Sequence, residues 1–320
     1  MIIRPMVADD AARVVAAWNQ ALKHDHLSEQ RFREIMLEDP NCEPEGVLLA
    51  ESDAGDVLAF SACVVRRDLR GRDGGGGEHN YNRGFLKGFF AVPGTEAAVA
   101  ARELLSRAEA FASGAGKRFV TVTVYDGPYI FPGIDVRYQR IRRILERSGY
   151  QDTYTIECVA TDLSSPKVDR MLAGVRATIP SDITIATWDP VMLPAMRTFV
   201  AEGDMPGWFP VGWESAYAAP AQTTLILRKG EEILAWAQFH PRHPRAGFGP
   251  ILVLERERGK NYGAVLLLES MVRSREMGSR SMFAGWANTG FYVRYGWSII
   301  RRFAVLRKEL PQRHRMGQEL

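Results

Sequence analysis

The sequence predicts an α/β (α+β) protein built from two similar modules, each a mixed central sheet flanked by helices. Three observations lead there. Helical and strand periodicities alternate along the chain instead of segregating. One order of elements, strand, helix, hairpin, strand, long helix, strand, helix and strand, is met twice. A stretch of mixed polarity holding Ser164, Ser165, Pro166, Gly174 and Pro180 separates the two runs. The halves share little residue identity, so the repeat is one of architecture, and 320 residues suit two domains of roughly 150 each.

In the first module a short strand is expected at 2–5, a helix at 9–23 with Asp9 as N-cap, and a second helix at 29–37. Two apolar runs, 47–51 and 57–65, are split by Ser52-Asp53-Ala54-Gly55-Asp56, which has the chemistry of a hairpin turn. Residues 71–83, with glycine at each position from Gly74 to Gly77, form a connection expected to be mobile, leading to a strand at 85–92. Pro93-Gly94 stops that strand and Thr95 can cap an alanine-rich helix at 96–113, ended by Gly114 and Gly116. A strand at 119–125, a loop with Pro128, Pro132 and Gly133, a helix at 137–148 and a strand at 154–163 complete the module.

The second run has a strand at 183–188, a helix from Pro190 to about 202 and a loop at 203–212. A hairpin of 223–228 and 233–240 turns at Lys229-Gly230 and is followed by a strand at 250–254 and a helix at 262–277. A strand at 281–286, a short helix at 290–295 and a strand at 299–310 close it. The expected division is a first domain at 1–163, a linker at 164–180 in which 168–175 could make a short helix, a second domain at 181–310 and a basic tail at 311–320.

Composition narrows the function classes. With 46% hydrophobic and 25% charged residues there is ample material for a core, which excludes disorder as the main state. No window approaches the roughly 18 apolar residues of a membrane span, and Arg4, Asp9 and Asp10 interrupt any signal-like start, so no membrane partner is expected. Lys plus Arg number 41 and Asp plus Glu 38, a net charge of +3, which makes no electrostatic case for nucleic acid but leaves room for a local anion site. Cys42, Cys63 and Cys158 are scattered and odd in number, consistent with a reducing cytoplasm. The pairs His24/His26 and His240/His243 lack carboxylate or thiolate company at ligand spacing, so no metal is expected.

The informative segment runs from Ile251 to Leu268. An apolar strand enters the turn Glu255-Arg256-Glu257-Arg258-Gly259-Lys260-Asn261-Tyr262-Gly263-Ala264, and the turn opens an amphipathic helix. Such a turn aims several backbone N–H groups and the helix dipole at one spot, a seat for phosphate oxygens. Gly259, Gly263 and Ala264 permit close approach, and Arg258 and Lys260 add charge. It is neither GxxxxGK[ST] nor GxGxxG. It resembles motif A of the GCN5-related N-acetyltransferases (GNAT), Q/R-x-x-G-x-G/A, through Arg258, Gly263 and Ala264, with Asn261 in place of the first glycine. Asn tolerates the left-handed backbone better than most residues. Further on, Phe291-Tyr292-Val293-Arg294-Tyr295-Gly296-Trp297 resembles the family's late F-Y-x-x-x-G-F/W pattern. The first half has Val92-Pro93-Gly94-Thr95-Glu96-Ala97-Ala98 at the corresponding place, with no cation and with Glu96 set to repel phosphate. Its Tyr129–Asp135 loop resembles a segment of degenerate first halves of tandem acetyltransferases.

The resemblance implies acetyl-CoA as co-substrate, lying beside the second-half strand with its pantetheine paired to Leu252 and Val253 and its pyrophosphate on Arg258, Gly259, Lys260, Asn261, Tyr262, Gly263 and Ala264. It implies a tandem protein in which only the second half binds the thioester. Tyr292 matches the family's general acid, and Tyr295 reads as the core member of the same helix. His240, at the end of a hairpin strand, has a side chain suited to a base; a solvent-facing loop histidine is the alternative. The loop 203–214 carries Asp204, Trp208, Trp213 and Glu214, acids and flat aromatics that suit a cationic amine or an aminosugar, or else a lid of apolar packing. The expected activity is therefore transfer of acetyl to a primary amine of a small molecule, by a monomer or homodimer. A non-catalytic acyl-CoA-binding or regulatory protein is the alternative. An aminoacyl transferase of duplicated fold using charged tRNA fits less well, given the basic turn and the near-neutral charge.

Overall fold

A computed structural model describes residues 1–66, 82–125, 128–203 and 221–311. These fall into two compact units: residues 1–66, 82–125, 128–156 and 302–311 form one, and residues 157–203 and 221–301 the other. The glycine-rich connection at 71–83 lies outside the described residues apart from Asn82 and Arg83, as does the basic tail after Pro311.

The first unit opens with β1 (Ile2–Pro5), α1 (Ala11–Ala21), α2 (Glu29–Met36) and the hairpin of β2 (Val47–Glu51) and β3 (Val57–Val65). There follow β4 (Arg83–Ala91), α3 (Thr95–Gly114), β5 (Phe119–Val122), β6 (Ile134–Asp135), α4 (Gln139–Arg147) and the start of β7 (Gln151–Asp162). From residue 157 the second unit runs through the rest of β7, α5 (Lys167–Arg176), β8 (Ile183–Thr187), α6 (Leu193–Glu202) and β9 (Thr224–Lys229). It continues with β10 (Glu232–His240), β11 (Arg245–Val253), α7 (Tyr262–Glu276), β12 (Ser281–Ala284), α8 (Thr289–Tyr292) and the first residues of β13 (Ser298–Glu309).

Each unit repeats one sheet plan. In the first, β1 to β4 pair antiparallel in sequence order, β4 pairs parallel with β5, and β5 pairs antiparallel with residues 306–309 of β13. In the second, β8 to β11 pair antiparallel, β11 pairs parallel with β12, and β12 pairs antiparallel with residues 159–162 of β7. α3 packs on its sheet through an alanine-rich inner face, with Ala97, Ala100, Ala101, Ala108 and Ala112 buried at helical spacing around Leu104 and Leu105. In the second unit α7 buries Val265, Leu266, Leu267, Leu268 and Met271 on one side of the sheet, and α6 covers the other with Met196, Phe199 and Val200 against Trp236 and Leu252.

The observed boundaries differ from the expected ones where tertiary pairing decides. α1 starts at Ala11 because a 3-10 turn at Ala8–Asp10 precedes it. Asp10, not Asp9, accepts the Val7 N–H at 2.9 Å and both Arg4 and Arg13. The stretch expected as linker contains α5, whose Val168 and Leu172 are buried in the second unit's core. Residues 302–309, expected with the second half, lie in the first unit's sheet, where β5 needs a partner on its outer edge.

Both parallel pairs are short and both are followed by a bulge. β4 pairs with β5 only from Arg83 to Phe85 and then carries an extra residue, Lys87, opposite the step from Ala62 to Cys63. β11 pairs with β12 only from Arg245 to Gly247 and then places Gly249 and Pro250 opposite Gln238 alone. A bulge bends its strand and increases the local twist, so in each unit the strand leaves its parallel neighbour at the same point.

In the first unit the bulge residue is part of a buried polar cluster. The Lys87 ammonium, with no exposure, donates to the Asp39 carboxylate and the Ile35 carbonyl, lies 3.7 Å from the Cys42 sulfur and sits 5.0 Å from the centre of the Tyr125 ring. Burial pushes the Asp39 carboxyl up, but hydrogen bonds from Lys87 and from the Asn41 N–H outweigh it and hold the group below its ordinary value. The carboxylate's contribution to stability is therefore complete at neutral pH and is lost as pH falls through the folded-state value. Lys87→Met should leave that charge buried without its counter-ion, at a cost of about 3–5 kcal/mol by urea denaturation, and adding Asp39→Leu should recover most of the loss.

Candidate active site

The second unit's site follows from the departure of β11 from β12. After Gly247 the strand keeps β10 on one edge, with Ala237, Trp236 and Ala235 opposite Ile251, Leu252 and Val253, while no described strand pairs with its other edge. Alternate N–H and C=O groups of an extended strand point to opposite edges, so this segment offers a row of backbone groups to an extended ligand. Gly249, at φ 125°, supplies the bend, and Pro250 loses no ladder bond because it sits in the bulge. The strand expected to begin at Pro250 therefore begins at Arg245. A Gly-Pro pair within a strand-like run was the available sign of a bulge rather than of a strand start.

The free edge leads into the basic turn. Leu254 is buried, a single 3-10 turn spans Glu255–Glu257, and Gly259 (φ 81°) and Asn261 (φ 63°) reverse the chain into α7. Asn261 does adopt the left-handed backbone for which its residue type is suited, and its amide donates to Thr178 Oγ1 at 3.1 Å. The Val265 N–H is the first of these to reach a helical acceptor, the Asn261 carbonyl at 3.0 Å, so the N–H groups of Tyr262, Gly263 and Ala264 precede the helical ladder. A Cβ on Gly263 would come 3.4 Å from Val253 and 3.5 Å from the Phe291 ring, so this glycine marks where strand, helix and α8 meet.

The cations of the turn divide into two kinds. Arg256 is bound on three sides, to Glu202 at 2.6 Å, Glu232 at 2.7 Å and Glu257 at 2.9 Å, and serves to fix the turn. Among the described residues, Arg258 and Lys260 have only local partners, Glu255 at 3.6 Å and Glu257 at 2.9 Å, with side chains 62% and 51% exposed. Exposed pairs of this kind contribute little to stability, and a phosphate can replace such a partner. Among the other residues expected to bind the co-substrate, Leu252, Tyr262 and Ala264 have buried side chains, so what they present is backbone.

α8 lies against the root of the opening. Tyr292 is buried among Phe248, Phe291 and Trp297, with ring centres 6.1, 5.1 and 5.2 Å away. Burial pushes its phenol up to about 12. The expectation that Tyr295 would be the core member is corrected. Gly296, at φ 82°, turns the chain so that Trp297 packs beneath Tyr292, which leaves Tyr295 half-buried against Phe291.

His240 stands on the other face of the sheet. Its neighbour Phe239 is opposite Phe248 in the core shared with Tyr292, so by alternation His240, opposite Gly247, faces away and is exposed. Desolvation lowers its imidazole below the usual range, assisted by Arg242 and opposed by a hydrogen bond with the Gly249 backbone. His240 is thus at the bulge, and the sheet separates it from Tyr292. Asp204, Trp208, Trp213 and Glu214 lie outside the described residues.

This arrangement is an opened parallel pair in an α/β unit, with its free edge ending on the N-terminus of a helix. Residues 192–297, a third of the chain, match the model of the acetyltransferase (GNAT) family. That segment of the second unit is similar to the acetyltransferases of the GNAT family. No curated protein matches the sequence. Among solved structures it resembles the GCN5-related glucosamine N-acetyltransferase region of a fungal multi-domain GH3 β-N-acetylglucosaminidase, at 14% identity and a TM-score of 0.75 over 96% of this chain and 38% of that one. It also resembles a GCN5-related N-acetyltransferase from Sphaerobacter thermophilus, at 16% identity and a TM-score of 0.70 over 96% and 95% of the two chains. A tandem GNAT protein from the clavulanic acid biosynthesis pathway matches at 14% identity and a TM-score of 0.62 over 96% and 98%. At such identities the likeness concerns the fold, including its duplication.

The left-handed backbone at Asn261 gives a direct test of the turn. Asn261→Ala should lower the unfolding free energy by about 1 kcal/mol, through Cβ strain, whereas Asn261→Gly should stay within about 0.5 kcal/mol of the parent in urea titrations.

Proposed function

We propose that the second unit transfers the acetyl group of acetyl-CoA to a primary amine of a small molecule, with an aminosugar as the preferred class. The observation that carries this reading is the free edge of β11 running into the turn of Arg258 to Ala264. Pantetheine amides would pair with the backbone of Leu252 and Val253, and the pyrophosphate would take the N–H groups of the turn with Arg258 and Lys260. The amine nitrogen attacks the thioester carbonyl carbon, and negative charge collects on the oxygen, where an N–H of the free edge can stabilise it. The C–S bond then breaks. Tyr292, its phenol held up to about 12 by burial, keeps its proton at neutral pH and donates it toward the leaving sulfur. His240, neutral at pH 7, takes a proton from the nitrogen on the opposite face of the sheet. The choice of an aminosugar rests on the acids and aromatics of Asp204, Trp208, Trp213 and Glu214, and is in keeping with the glucosamine N-acetyltransferase region named above.

The first unit is proposed to bind no thioester, for reasons visible in its own opening. The bulge position is taken by the buried Lys87. At the end of β4 the guanidinium of Arg140 donates to the carbonyls of Ala91, at 3.2 Å, of Val92, and of Gly94, at 3.2 Å, the groups that a pantetheine would need. Glu96 stands in the first turn of α3.

Acetyl-CoA should raise the melting temperature of the protein, and changing both Arg258 and Lys260 to Glu should abolish the shift while Glu96→Ala leaves it intact. Binding of the thioester without turnover of any amine in a broad panel would favour the alternative of an acyl-CoA-binding or regulatory protein.

The pH dependence has a definite sign. A base must be unprotonated, so kcat should rise with pH along an acid limb whose midpoint lies below 6.5 and which His240→Gln removes; on the alkaline side Tyr292 should impose no fall before about pH 11. Persistence of the acid limb in His240→Gln would assign the base elsewhere.

A further inference from the structure

Tyr292 sits on a helix too short to orient itself. α8 has four residues, Thr289–Tyr292, runs on only as a single 3-10 turn at Val293–Tyr295, and is entered through Gly285, Trp286, Ala287 and Asn288. One helical turn fixes several dihedral angles for a single backbone bond and is unfavourable alone. The aromatic neighbours of Tyr292 account for its burial, but apolar contacts are not directional and do not set the axial position of the phenol. The entering segment also contains Trp286 at φ 54°, a conformation costly for a bulky side chain that persists only where surrounding structure imposes it.

One residue of β7 supplies that imposition. The backbone carbonyl of Glu157 accepts the Ala287 N–H at 2.9 Å, and its carboxylate accepts the hydroxyl of Thr289, the first residue of α8. The two bonds grip the chain on either side of Asn288, immediately after the left-handed Trp286. Glu157 is fixed in turn, since two residues on, from Val159 to Asp162, its strand is paired with β12. Any residue at 157 could provide the carbonyl; the bond to Thr289 requires a side-chain acceptor of this length. We propose that Glu157 is a positioning residue for the reaction, holding α8 so that the Tyr292 hydroxyl meets the sulfur leaving the thioester. The inference rests on the reading of Tyr292 as proton donor.

The test is a double-mutant cycle. Release of CoA thiol from acetyl-CoA is followed with glucosamine as acceptor and with water alone, and acetyl-CoA affinity is measured separately by calorimetry. Tyr292→Phe is expected to lower kcat roughly 10-fold, Glu157→Ala to lower it about 5-fold with acetyl-CoA affinity and KM within about 2-fold, and Glu157→Gln, which keeps an acceptor oxygen, to restore it to within about 2-fold. In the Tyr292→Phe background, Glu157→Ala should change kcat by less than about 2-fold, because the group it positions is gone. Thr289→Val removes the same bond from the helix side and should reproduce Glu157→Ala, which guards against a folding defect in either variant alone. Melting curves confirm that each is folded at the assay temperature. An equal fall of kcat from Glu157→Ala in both backgrounds, or no fall in the parent, overturns the proposal while leaving Tyr292 its role. An unchanged kcat in Tyr292→Phe overturns the reading of Tyr292 and the role of Glu157 with it.

Discussion

Everything in the candidate site depends on the parallel pairing of β11 and β12 stopping after three residues. A parallel pair that continued would satisfy both edges of β11 and leave an extended ligand nothing to pair with. The bulge at Gly249 and Pro250 ends it, by spending one residue that β10 does not match. From that bend follow the free backbone edge, the approach of α8 to Phe248, and the delivery of the chain to the N-terminus of α7 at the far end of the opening. The charges of the turn come after this geometry. Arg256 is used up in holding the turn to Glu202 and Glu232, which leaves Arg258 and Lys260 exposed beside the helix.

The two units show how one plan diverges. Each has a short parallel pair and a bulge two residues beyond it, so the opening is a property of the backbone arrangement that both share. What fills it is a matter of side chains. In the second unit the bulge is glycine and proline, which put nothing in the way. In the first, Lys87 carries a charge into the interior with Asp39 to meet it, and Arg140 takes carbonyls at the strand end. A buried ion pair stabilises less than apolar packing of the same volume, and at this position the first unit's opening is filled by polar groups rather than by a hydrophobic plug.

Much of this was legible in the sequence. Element order, the duplication and the basic turn could be read because they depend on local periodicity and on the short-range chemistry of Gly259, Asn261 and Gly263. The left-handed Asn261 is a case where a local preference and the observed backbone agree. What escaped were facts of long-range pairing. Val168 and Leu172 look like linker until the core that buries them is known. Tyr292 and Tyr295 have similar local claims to the interior, and Trp297, brought under Tyr292 by Gly296, decides between them. Glu157 lies 132 residues from Thr289, and Lys87 lies 48 from Asp39, separations at which no motif can signal a contact.

The last strand adds a constraint in time. β5 ends its edge against residues 306–309, and β6 against Phe303 and Ala304, so the first unit's sheet is finished by a strand that follows the second unit in sequence. On a ribosome, residues 119–122 emerge long before their partner exists. Until then Val120 and Val122 present an open strand edge of the kind that invites pairing with other chains. The order of synthesis thus runs against the order of assembly: the first unit is left incomplete until the intervening second unit has been made, and its cooperative folding waits for residues 302–309.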